Sequence, residues 1–164
     1  MLKIKPFKQS KGFCGPACFK MVLDYYGVKH SEMYWGKLTA IDINKKTGKI
    51  NRNKGCSEDK FIAIAKNMGF KGFCKDHSSL VEVRKLIQKK IPVIVDWFSP
   101  EQGPHFSVVV GFRKNKIILA DPYFGKFKKW TIKEFEERWF DHMPYPIKSL
   151  KDLRWVRRIC VVYK

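Results

Sequence analysis

Gln9-Ser10-Lys11-Gly12-Phe13-Cys14-Gly15-Pro16-Ala17-Cys18 decides how the rest of the chain is read. Pro16 suits the first turn of a helix, where its missing N–H costs nothing. From Ala17 to Tyr26 apolar residues recur at helical spacing (Ala17, Met21, Val22, Tyr25), and Gly27 is the stop. Gly12 and Gly15 flank Cys14 and allow backbone to come close to a ligand. Cys14 therefore sits at a helix N-terminus, where the dipole favours a thiolate, with Gln9 five residues ahead of it. Small residues before an apolar helix are ordinary, and a buried structural cysteine is commoner than a reactive one. The stretch needs support from elsewhere in the chain.

Working outward, residues 1–8 read as extended, because Pro6 forbids an early helix. Ser31 caps a second helix to about Ile41, with Met33, Tyr34 and Leu38 facing inward. Asn44 to Gly55 is rich in Lys, Asn and Gly and reads as an exposed loop or hairpin. Ser57 opens a third helix with Phe61, Ile62, Ala65 and Met68 as its buried stripe. Phe70–Lys75 is a short strand, and the capping box Ser79-Leu80-Val81-Glu82 starts a helix running to about Lys90. The pattern then turns to strands: Ile91–Phe98, His105–Arg113, Lys116–Ala120, Phe127–Trp130 and Arg154–Tyr163, with a second capping box at Thr131–Glu134 ahead of Phe135 and Trp139. Helices followed by an antiparallel sheet give an α+β fold and not alternating βαβ units. With no repeat and no linker, the expectation is a single domain over residues 1–164.

A chain of 164 residues, 45% hydrophobic and 15% aromatic, can bury a sizeable core and is not disordered. No apolar run approaches the ~20 residues of a membrane span. The charged N-terminus lacks an apolar h-region, and five cysteines form no disulfide framework. Reduced thiols and a cytoplasmic location are the resulting expectations. Lys and Arg total 34 against 15 Asp and Glu, a formal +19, which favours anionic partners: acidic peptides, nucleic acid or anionic lipid. The basic residues are spread out, with some concentration in Asn44–Lys54 and Lys126–Lys129, and no stripe with interleaved aromatics forms a nucleic-acid track.

A cysteine attacks a carbonyl as thiolate, beside a base that a third group orients. His30, His77 and His142 stand in polar surroundings, whereas His105 opens the most apolar strand directly after Gly103-Pro104. Asp121 ends the next strand, and the turn at Asn115 makes the two a hairpin in which the start of one lies beside the end of the other. A carboxylate against one imidazole nitrogen fixes the tautomer and stabilises the cation. Asp96 is a rival orienter, but within Val95-Asp96-Trp97 no turn aims it. The roles close with Cys14 as nucleophile, His105 as base and then acid, Asp121 as orienter, and Gln9 with the Cys14 N–H facing the oxyanion. This chemistry needs no cofactor. A zinc site at Cys14-x-x-x-Cys18 and Cys74-x-x-His77 has loosely suitable spacing but no paired C-x-x-C.

The Gln9–Cys18 block, followed by His105-Phe106-Ser107-Val108-Val109-Val110-Gly111 and Ala120-Asp121-Pro122, resembles the bacteriocin-processing, double-glycine leader peptidases, a family of papain-like cysteine peptidases. Gly55-Cys56-Ser57, Met68-Gly69-Phe70, Pro92–Val95 and the Trp130–Trp139 helix extend the likeness over most of the chain. The resemblance implies a papain-like fold, a helical layer with the catalytic helix packed on an antiparallel sheet. It implies a triad of Cys14, His105 and Asp121 with Gln9 at the oxyanion hole, and no metal. The implied substrate is a peptide or protein cut after a Gly-Gly-type leader, acidic by the charge argument. Its partner would be an export transporter encoded separately, since this sequence shows no membrane span or ATP-binding domain, and nucleic acid is not obligatory. Two readings stand beside hydrolysis: a papain-like acyltransferase with the same triad, and a cationic nucleic-acid-binding module without catalysis.

Overall fold

Val93-Ile94-Val95, Val108-Val109-Val110 and Ile117-Ile118-Leu119 carry apolar residues at successive and not only alternate positions. Strands built from such runs need cover on both faces. In a computed structural model of the chain, described for residues 1–44, 46–51, 54–142 and 153–164, they have it. The elements in chain order are α1 (Cys14–Tyr25), α2 (Glu32–Thr39), α3 (Glu58–Asn67), β1 (Lys71–Lys75), α4 (Leu80–Gln88), β2 (Val93–Ser99), β3 (Gly103–Arg113), β4 (Lys116–Asp121), β5 (Lys126–Thr131), α5 (Ile132–Glu136), β6 (Phe140–His142), β7 (Leu153–Val156) and β8 (Ile159–Tyr163). Among the described residues, an antiparallel sheet runs in the order β1-β8-β2-β3-β4-β5, and β6 pairs with β7 apart from it.

On one face α1, α2 and α3 bury Phe19, Met21, Trp35, Phe61 and Ala65 against Ile94, Val108, Val110, Ile118 and Val162. This is the expected helical layer. The opposite face is covered as well: Leu80 and Val83 of α4, Phe135 of α5 and Trp139 pack on Val95, Trp97, Val109, Leu119 and Val161. The N-terminal segment lies along β3. A register shift between Val109 and Gly111 frees the Val110 carbonyl, which accepts the Leu2 N–H at 2.7 Å, and Leu2 and Ile4 are buried.

Several expectations change. In α2 the inward residues are Trp35, Gly36 and Thr39, whereas Met33, Tyr34 and Leu38 are each more than 40% exposed. Trp35 meets Phe19 edge-on at 5.2 Å, and the Phe13 ring occupies the space a Cβ at Gly36 would need, so these contacts set the rotation of the helix. Met68 lies outside the stripe of α3 as its exposed C-cap. The stretch expected as one final strand is two, β7 and β8, with Arg157 at positive φ between them. The Asn44–Gly55 stretch turns through a small hairpin in which the Asn44 N–H donates to the Lys49 carbonyl, and Ile43 bridges Ile50; Lys45, Arg52 and Asn53 lie outside the described residues. The expectation of reduced thiols is corrected by a disulfide joining Cys74 and Cys160, which the β1–β8 register sets directly opposite each other.

Candidate active site

The approach to Cys14 is fixed by backbone. Gly12 takes φ +73°, a conformation that favours glycine, and the Phe13 N–H returns to the Ser10 carbonyl at 3.0 Å, turning the chain into α1. The Ser10 N–H donates to Oε1 of buried Glu32 at 2.8 Å. The Gln9 N–H donates to the Pro122 carbonyl, also at 2.8 Å. Gly125 sits at φ +65°, and a Cβ there would lie 3.0 Å from the Cα of Lys8. The segment carrying Gln9 is therefore seated on the turn that follows Asp121.

His105 and Asp121 meet through sheet register. Val108 pairs with Ala120, which sets Asp121 opposite Ser107 and one alternation from His105, on the same face. Their side chains are buried, and His105 Nε2 lies 3.0 Å from Asp121 Oδ1, which also accepts the Tyr123 N–H at 2.9 Å. The other imidazole nitrogen is left for Cys14. Burial by itself pushes the Cys14 thiol up, but the hydrogen bond and charge of His105, with backbone hydrogen bonds from Phe106 and Gly15, bring it below the usual thiol range. Burial would push His105 down, yet its bonds to Asp121 and Cys14 raise it to about 9. Both shifts favour the thiolate and imidazolium form of the pair. Gln9 is half-buried, and its Oε1 is buried without a hydrogen-bond partner.

The structure thus brings together Cys14, His105, Asp121 and, through its backbone, Gln9. His30 is elsewhere, stacked on Tyr34, and His77 occupies an exposed turn. Cys18 is fully buried in the core and Cys74 is bonded to Cys160, so neither thiol is open for a metal.

Asp96 lies on β2 opposite Phe106, on the face that α1 covers, and does not meet His105. It is 3% exposed, with Oδ2 unpartnered; burial and the nearby Asp141, Glu58 and Cys14 charges hold its carboxyl well above the usual range. Two neighbours of the site escaped sequence reasoning. Cys56 lies against Gly15 so closely that a Cβ there would collide with its sulfur, and burial, with Cys14, Glu58 and Asp96 nearby, raises its thiol. A glycine following the cysteine was the only signal for that close approach. Arg158 joins Glu58 to Asp76, at 3.1 Å to each carboxylate, across 100 and 82 residues of sequence, and no local pattern announces it.

The Peptidase_C39-like family pattern matches residues 1–143. The lactococcin-G-processing and transport ATP-binding protein LagD of Lactococcus lactis subsp. lactis is 26% identical over 143 residues, which are 85% of this chain and 18% of that relative. The chain thus spans under a fifth of its length. The peptidase domain of Streptococcus ComA, a bi-functional ABC transporter involved in a quorum sensing pathway, shares the fold with a TM-score of 0.68 at 20% identity, covering 98% of both chains. A double glycine motif protease from an AMS/PCAT transporter, solved with the leader peptide, gives 0.67 at 20% identity over 98% of this chain and 91% of its own. A C39-like peptidase from Bacillus anthracis gives 0.65 at 16% identity over 98% and 95%. With the family pattern over most of its length and this arrangement at the tip of α1, the chain belongs to the Peptidase_C39-like family of cysteine peptidases.

Proposed function

We propose that Cys14, His105, Asp121 and Gln9 hydrolyse a peptide bond by acyl transfer through a thiolate, with the chain acting as one catalytic domain. The Cys14 thiolate attacks the scissile carbonyl, and the Gln9 amide and Cys14 N–H receive the developing oxyanion. The C–N bond breaks as His105 passes its proton to the leaving amine. Water, deprotonated by the now neutral His105, attacks the thioester; the acid product leaves and Cys14 is regenerated as thiolate. Asp121 keeps Nε2 of His105 engaged so that the other nitrogen faces the thiol. What supports this most is the opposite shift of two adjacent groups, Cys14 down and His105 up, within one hydrogen-bonded unit.

The relatives point to a substrate class. LagD is named for processing lactococcin G, and the AMS/PCAT protease for a double glycine motif. A peptide with a Gly-Gly-type leader, bound for an exporter, is the substrate we propose. Among the described residues, no helix is long and apolar enough to cross a membrane.

The test is a Gly-Gly-containing leader peptide, with products weighed by mass spectrometry and an acyl-enzyme trapped and mapped. A free-acid product and an adduct on Cys14 are expected; an amine-joined product would reassign the chemistry to transfer, and an adduct on Cys56 would overturn the nucleophile. The rate should rise with pH as Cys14 ionises below the usual thiol range, then fall as His105 loses the leaving-group proton near pH about 9.

A further inference from the structure

We propose that the lysines and aromatic rings beside Gln9 and Asp121 form a docking surface for an acidic segment of the peptide substrate. The proposal rests on the peptidase reading above and adds where the substrate's charge is recognised.

Residues 1–23 and 122–133 meet at this place: the Gln9 N–H bonds the Pro122 carbonyl, and Lys8 packs on Gly125. Between them the two segments hold nine lysines and no carboxylate, with Lys20 and Lys133 paired to Asp24 and Glu137 just beyond them. On the turn itself, Nζ of Lys128 lies 4.1 Å above the Phe124 ring and Nζ of Lys126 lies 5.6 Å from it. The ring face thereby holds two ammonium groups at one spot. Tyr123 next to it is exposed, as is Phe127 on the opposite face of β5. The carboxylates that come near are buried and engaged, Glu32 by the Ser10 N–H, Asp121 by His105 and the Tyr123 N–H. Neither is available to neutralise the lysines.

Lysines on an edge strand also discourage pairing with other sheets, and β5 is an edge. That accounts for Lys128 and Lys129 in isolation. It does not account for Lys8, which comes from another segment, or for the aromatic turn, and both border the catalytic residues. Like charges gathered in one place, here Lys8, Lys126 and Lys128, repel each other and are relieved by an anionic occupant. Because this turn follows Asp121 directly and the Gln9 N–H bonds Pro122, a peptide bound across the site lies beside it. Substrate carboxylates then accept from Lys8, Lys126 and Lys128, and their aliphatic stems lie on Tyr123.

The test uses the full chain carrying Cys14→Ala, so that nothing is consumed, and a short fluorescein-labelled glutamate-rich peptide, with its glutamine twin as control. Anisotropy should show binding of the glutamate peptide alone, weakening with salt. Lys126→Gln with Lys128→Gln should weaken it about three- to tenfold, while Lys66→Gln with Lys85→Gln, exposed on α3 and α4, should not. Equal loss in both pairs would overturn the proposal in favour of net charge alone. Tighter binding of single-stranded DNA, lost in the same Lys126 and Lys128 variant, would overturn it in favour of a nucleic-acid surface, and no binding of the glutamate peptide at low salt would end it. With Cys14 kept, the ratio of its alkylation by iodoacetate to that by iodoacetamide should fall from wild type to the Lys126 and Lys128 variant. Adduct mapping separates the two readings: a trapped acyl group away from Cys14 removes the peptidase reading, while peptide binding that follows Lys126 and Lys128 leaves the docking surface standing.

Discussion

On the Gln9 side of Cys14 the neighbouring chain is held by backbone hydrogen bonds and a glycine contact, and its charges are exposed and positive. On the Cys56 side the neighbours are side chains packed against Gly15, and the carboxyls of Glu58 and Asp96 are buried. Burial among acids raises the carboxyls of Asp96 and Glu58 and the thiols of Cys56 and Cys18. Cys14 borders the same ground and moves the opposite way, because His105 bonds it. A shared neighbourhood therefore does not make a nucleophile; one partner does.

Removing that partner should erase the contrast. His105→Ala is expected to lower kcat/KM by about 10⁴-fold or more and to slow iodoacetamide labelling of Cys14 near neutral pH toward the rate of Cys56. Continued fast labelling would mean that the helix tip alone sustains the thiolate. A smaller effect belongs to the positive side: Gln9→Ala should reduce kcat by roughly 10²–10³-fold, with labelling of Cys14 retained, because the role proposed for the amide is toward the oxyanion and not the thiol. If labelling fell with it, Gln9 would be holding the loop in place. The smallest effect lies on the negative side. The Asp96 carboxyl is raised above its unfolded value, so its contribution to stability is present below the usual carboxylate range and lost as pH climbs through the raised value. Asp96→Asn cannot ionise. Its melting temperature should therefore gain on wild type by a few degrees as pH rises above the ordinary carboxylate range, and a gap that shrinks with that rise would show Asp96 ionised and paired.

Much of the site was legible because its pieces are local or nearly so. Pro16 and Gly27 bracket α1, and the short Asn115 turn sets Asp121 near His105 by register. The rotation of α2 was not legible, since Met33, Tyr34 and Leu38 fit a helical stripe as well as Trp35 and Gly36 do; the choice is made by Phe19 and Phe13. Cover on the second sheet face was implicit in the successive apolar residues of β2, β3 and β4, where an alternating pattern would have meant one open face. The pairing of β1 with β8, the bridge from Arg158 to Glu58 and the approach of Cys56 to Gly15 join distant parts of the chain, and nothing within a local window encodes them.

The bond between Cys74 and Cys160 closes a sequence separation of 86 residues. Loops of that length lose unfolded-state freedom worth about 4–5 kcal/mol in the chain-entropy account. His105 and Asp121 lie inside this covalent ring, while Gln9, Cys14 and Cys56 lie on the tail ahead of it. His105 and Asp121 are thus held in one covalent ring even when the chain is open, and Cys14 joins them only when the preceding segment docks. The meeting of the three residues is a record of that docking, written across the boundary between a lasso and the chain that runs ahead of it.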